Sequence, residues 1–132
     1  MAYASVSDVN AVLPAKFQIG ASTTPTSTQV TAWIAEYEAE LNGLLVAAGF
    51  SAPATGSNDI VRLRRIIVEA TACKTWPVIS PADDDQLPAQ VRGWCGTWAE
   101  AVKALQDGTF VLVDQSRRKK SGMIYASVMQ DD

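Results

Sequence analysis

No histidine occurs among the 132 residues of the chain, and cysteine occurs only twice. Without an imidazole, neither a Ser-His-Asp nor a Cys-His relay can be assembled within one subunit. Cys73 and Cys95 fall on separate predicted helices with no CxxC spacing, so a zinc site would have to be built from isolated thiols and carboxylates. Buried, reduced thiols are the expected state of both. No apolar run approaches the roughly 20 residues needed to span a bilayer. The stretch from Met1 to Asp8 has neither a basic start nor an apolar core, which predicts no signal peptide and a soluble protein made and used in a cytoplasm. Phosphate-cradling GxxxxGK[ST] and GxGxxG loops are missing. None of the acids is embedded in the apolar sequence that would shift its pKa for paired-carboxylate chemistry. Together these absences predict a protein that is not an enzyme and uses no cofactor or metal.

What the chain does have is enough apolar sequence for a core. Hydrophobic residues make up 48% and charged ones 19%, which argues against disorder and for one compact domain at this length. The net charge of −3 hides an asymmetry. Acids outnumber bases up to Gly108, and bases outnumber acids after it. A balance of this kind makes a poor general nucleic-acid binder, because phosphate contact needs a dense basic surface.

Periodicity predicts about four helices. The first is short, capped by Ser7, and runs through Asp8 to Leu13 until Pro14. A long loop from Ala15 to Pro25 follows, of the sort that often contacts a neighbour. Thr26 and Gln29 form a capping-box pattern for the second helix, and Gly49 stops it. Val30, Trp33, Ile34, Tyr37, Leu41, Leu44, Leu45 and Ala48 mark its apolar face, while Glu36, Glu38 and Glu40 fall mainly on the other. Those acids are either a solvated flank or a contact for a basic patch on a neighbouring subunit.

The third helix is capped near Ser57 or Asn58 and ends at Trp76 and Pro77. Ile60, Leu63, Ile67 and Ala70 line one side, with Val61 and Val68 widening the stripe, so it is predicted to be central and most buried. Arg62, Arg64 and Arg65 project in different directions, which disfavours a DNA-recognition helix, and Arg65 is placed to pair with Glu69. Asp83, Asp84 and Asp85 lack calcium-loop spacing and are read as solvated acids. Pro88 opens the fourth helix, Val91, Trp94, Cys95, Trp98, Val102 and Leu105 form its stripe, and Gly108 stops it. Gly93 and Gly96 inside it each cost about 1 kcal/mol against alanine and suggest close approach of another backbone. The tryptophans are read as core.

The last residues carry a different pattern. Thr109 to Asp114 and Met123 to Met129 read as two short strands around a basic loop of Arg117, Arg118, Lys119 and Lys120. A two-stranded ribbon is marginal in water unless its edges find a partner. The predicted fold class is therefore mainly α, a small bundle of about four helices over 1–108 with a C-terminal β-hairpin-like arm over 109–132. The basic loop is either a solvated turn guarding an edge or a contact for an acidic surface or nearby nucleic acid.

The helix ending in Val12, Leu13 and Pro14, the run from Gln29 to Leu41, the Ala47 to Phe50 stop and the Ala104 to Gly108 close together resemble tailed-phage head–tail connector proteins, the adaptor or head-completion group. The resemblance implies a mainly helical virion protein of the neck. It implies a homo-oligomeric, usually dodecameric ring beneath the portal protein, which extends the DNA channel, meets DNA there non-specifically and docks a further neck or tail protein. Such proteins assemble in the host bacterial cytoplasm without a membrane. The matching position for portal contact is the arm, with Phe110, Leu112, Ile124, Tyr125 and Val128 as anchors and residues 117–120 meeting portal or DNA. A head-to-tail ring needs two different faces; Phe17 and Ile19 of the long loop and Glu36 and Glu40 are the subunit-interface candidates. The competing expectations are a small helical DNA-binding packaging or regulatory protein, and a tail-completion protein.

Overall fold

The computed structural model describes residues 3–80 and 89–116. Among these residues there are four α-helices, α1 Val6–Val12, α2 Ser27–Ala47, α3 Ser57–Ile79 and α4 Ala89–Asp107, with a 3-10 turn at Ala15–Phe17. No strand occurs among the described residues. The mainly helical expectation therefore holds, while Thr109 to Asp114 runs without strand pairing; the rest of the expected hairpin, like Asp83, Asp84, Asp85 and Pro88, lies outside the described residues. No helix among the described residues is long and apolar enough to cross a membrane.

Local chemistry sets the helix starts. The first helix begins earlier than expected, because Ser5 rather than Ser7 caps it and Asp8 closes a reciprocal box by accepting from the Ser5 amide at 2.9 Å. In α2 the expected box forms, the Thr26 hydroxyl accepting from the Gln29 amide at 3.2 Å. Gly49, with φ 99°, ends α2 in the left-handed region that favours glycine.

Helix α3 is the hub and packs against α1, α2 and α4. Leu63, Ile67 and Ala72 are fully buried on it, and Leu41 and Leu45 meet the same core from α2. Burying one such leucine or isoleucine stabilises the fold by roughly 1.5–3 kcal/mol. Val68 widens the stripe as expected, but Val61 is 60% exposed. Pro77 does not stop α3, which continues to Ile79. Tertiary contacts override the local preference here: Trp76 is held edge-on between Phe17 at 5.6 Å and Trp94 at 6.2 Å.

Two further expectations are corrected. Cys73 and Cys95 are joined by a disulfide, because α3 and α4 bring their Cα atoms to 5.0 Å, well within bridging range. Gly93 and Gly96 approach no other backbone, since a β-carbon at either would meet nothing within 4 Å. The structure offers no packing reason for these glycines.

Candidate assembly surface

The chain does not leave the body at Gly108. Gly108, with φ 79°, turns the backbone so that the Thr109 and Phe110 amides donate to the Ala104 carbonyl at 2.9 and 3.2 Å, closing α4. Residues 109–116 then cross back over the start of α3 as a strap. Phe110 and Leu112 point inward at 3% and 5% exposure, while Val111 and Val113 point outward at 60% and 75%. This period-two alternation was the strand signal in the sequence; here one side is buried against helices.

Polar contacts fix the strap at its far end. Asp59, buried in the first turn of α3, accepts from the Val113 amide at 2.8 Å and the Asp114 amide at 3.1 Å. In return the Asp114 carboxylate accepts from the Asn58 amide at 2.8 Å and the Asp59 amide at 3.1 Å. It is a capping box built across 55 residues of sequence. No side chain of its own caps α3, whose N-cap residue is Gly56. A β-carbon at Gly56 would collide with the Asp114 side chain, so the clasp requires glycine there. The Asp59 amide holds the Asp114 carboxyl below its ordinary value, desolvation opposes it, and the Asn58 side chain and amide add to the lowering.

Two more side chains, Arg62 and Gln115, seal the strap. Arg62 lies over the Phe110 ring at 4.3 Å and donates through Nη1 to the Val111 carbonyl at 2.8 Å. Gln115 and Ser51 exchange hydrogen bonds, the Ser51 amide to Oε1 at 2.9 Å and Nε2 to the Ser51 carbonyl at 3.1 Å.

Past Gly108, expected as the end of the helical domain, Phe110 and Leu112 are buried in the subunit's own core. Ile124, Tyr125, Val128 and the basic residues Arg117, Arg118, Lys119 and Lys120 lie outside the described residues. Phe17 and Ile19 also turn inward. Ile19 is buried, and its backbone is gripped by the Asn10 side chain at 2.8 and 3.0 Å. Glu36 and Glu40 are exposed on α2, with Glu36 at the 4.0 Å limit of an ion pair with Lys74.

Glu38, expected with them on the solvated face, is buried instead. Its carboxylate accepts from the Tyr3 and Ala4 amides, docking the N-terminal segment on α2. Tyr3 is 1% exposed; its hydroxyl donates to Asn42 Oδ1 at 2.6 Å and accepts from the Ala54 amide at 2.8 Å. Burial pushes the Tyr3 phenol up, the Ala54 amide opposes this, and the nearby Glu38 charge adds to the rise. Arg64 donates to the Tyr3 carbonyl at 2.8 Å. Neither Glu38 nor Asp59 stood out in the sequence, although an acid in a first helical turn, as Asp59 is, was a faint signal.

A cleft of about 550 Å³ opens between α3, α4 and the strap. Ile66, Ala101 and Phe110 floor it, Arg62 and Arg65 stand on the α3 rim, and Glu100 stands on the α4 rim. Arg65 donates to Glu69 at 2.9 Å as expected, and Glu69 also accepts from the Thr97 hydroxyl at 2.6 Å. Comparison with protein-family models, with curated proteins and with solved structures produced no match.

Proposed function

We propose that the chain is a structural virion protein of the tailed-phage neck. In this reading it forms a ring beneath the portal that completes the head, extends the DNA channel and docks the next neck or tail protein. It performs no catalysis and uses no cofactor. The supporting observation is the reciprocal Asp59–Asp114 clasp, which holds the chain at Asp114 on the first turn of α3. Residues 117–132 follow the clasp in sequence and begin with four consecutive bases. In this proposal they are the portal-contacting arm, with Ile124, Tyr125 and Val128 as apolar anchors in a hairpin completed by the portal, through main-chain hydrogen bonds and alternating side chains.

A DNA-recognition role for α3 is disfavoured by how its arginines are used. Arg64 is turned to the Tyr3 carbonyl, which leaves Arg62 and Arg65 beside the acid Glu100 as too sparse a basic face for duplex DNA. Weak affinity for free duplex DNA is expected accordingly. The test is co-sedimentation with portal-containing, DNA-filled heads. Full-length protein is expected to bind, and a chain ending at Ser116 to lose binding while keeping its unfolding midpoint, because the strap stays intact. Undiminished binding by the shortened chain would refute the arm assignment.

A further inference from the structure

The cleft above α3 and α4 is open and chemically lopsided. Its floor is apolar, one long rim carries Arg62 and Arg65, and the opposite rim carries Glu100. Each guanidinium has five N–H donors, of which Arg62 commits Nη1 to Val111 and Arg65 commits Nε to Glu69, leaving further donors for a visiting acid. Glu100 repels an occupant with acids on both flanks. The fitting occupant is a helix with carboxylates along one flank only, an uncharged opposite flank and a crest small enough to sink between two helices.

The outer face of α2 has that form. On a helical projection Ala32, Ala39 and Gly43 run along its crest, Glu36 and Glu40 along one flank, and Val46, 60% exposed, along the other. Space above Gly43 is open, with nothing within 4 Å of where a β-carbon would stand. Glu36 and Glu40 are one turn apart, as are Arg62 and Arg65, and on a helix such neighbours lie about 5–6 Å apart, so the two sets of charges share a spacing. Small crest residues allow helix axes to approach to about 8 Å. The Glu36 contact with Lys74, at 4.0 Å between exposed side chains, is too weak to hold Glu36 back.

We infer that α2 of a second copy of this chain docks in the cleft, with its Glu36 and Glu40 meeting Arg62 and Arg65. The two faces lie on different elements, so the contact can repeat head to tail, as a ring demands. This inference rests on the neck-ring reading for its biological setting and deepens it by naming which face meets which.

The experiment is sedimentation velocity on the full chain over a range of concentrations and salt, with melting curves to verify folding. Arg62 is left intact because it braces Phe110. Arg65→Glu and Glu40→Arg are each expected to weaken self-association roughly tenfold or more, and the double variant R65E/E40R to regain most of it. Arg65→Gln, which puts no new charge beside Glu69, is expected to weaken it less than R65E. Raising salt weakens the wild-type association. A wild-type chain that stays monomeric throughout, single variants that associate like wild type, or a double variant no better than the singles would each overturn the interface. None of those results touches the head-binding experiment, by which the neck reading stands or falls separately.

Discussion

The two ends of the described chain are fastened by the same device with different reinforcement. At the start, Glu38 of α2 accepts from the consecutive amides of Tyr3 and Ala4; at the finish, Asp59 of α3 accepts from the consecutive amides of Val113 and Asp114. Both carboxylates are buried, which is tolerable because charge-assisted hydrogen bonds replace the lost water. The reinforcement differs. Tyr3 seats a fully buried ring, whereas the C-terminal strap is backed by Asp114, an exposed carboxylate. Packing backs both, through Tyr3 at one end and Phe110 and Leu112 at the other, but the second also relies on a group that solvent protons can reach.

The largest effect is expected at the packed end. Tyr3→Ala empties a core site and strips the partner from the Ala54 amide, and is expected to cost about 3–5 kcal/mol in urea unfolding. A loss under about 1 kcal/mol would show that the N-terminal segment is an accessory. Next comes the Cys73–Cys95 staple, which belongs to neither end and so calibrates both. Reduction, or a Cys73→Ser and Cys95→Ser pair, is expected to cost about 3 kcal/mol through the loop that the bond closes. Thiol titration under denaturing conditions, before and after reductant, verifies the bond itself.

Asp59→Ala should follow, at about 2–3 kcal/mol, since it leaves the Val113 and Asp114 amides without their acceptor. Its diagnostic is local: hydrogen exchange should quicken at residues 110–115 and stay slow at Tyr3. The smallest effect is the acid response of Asp114. Its folded pKa lies below the ordinary value of 3.8, so its stabilising contribution is fully present above that value and disappears as pH falls through the lowered one. Asp114→Asn should therefore flatten the acid limb of stability below about pH 4 and leave the curve at neutral pH nearly parallel to wild type. An unchanged acid limb would mean that the clasp does not depend on this charge.

Much of the helical body was legible from local rules. The Thr26 and Gln29 box, the Gly49 and Gly108 stops, and the stripe through Leu41, Leu45, Leu63 and Ile67 all depend on residues within a few positions of one another. The strap's place on the helices was not legible, for a physical reason. Phe110 and Leu112 alternate with Val111 and Val113, and such alternation fits either a strand in a ribbon or an extended segment lying on helices. What separates the two is the partner, and the partner is the start of α3, some 55 positions away. Glu38 misled in the opposite way: among Glu36 and Glu40 it reads as one of a solvated set, but its place on the helix turns it toward the N-terminal segment.

By itself, the amino-acid order determined the helices of the described residues, where most of them begin and end, and which apolar faces close the core, because capping and periodicity act over a turn or two. Only the folded arrangement decided that Cys73 reaches Cys95, that Asp59 and Asp114 cap one another's backbone, and that Phe110 belongs to its own subunit. Those outcomes require atoms far apart in the chain to meet. Such a meeting depends on how α3 packs against its neighbours, which no local window contains.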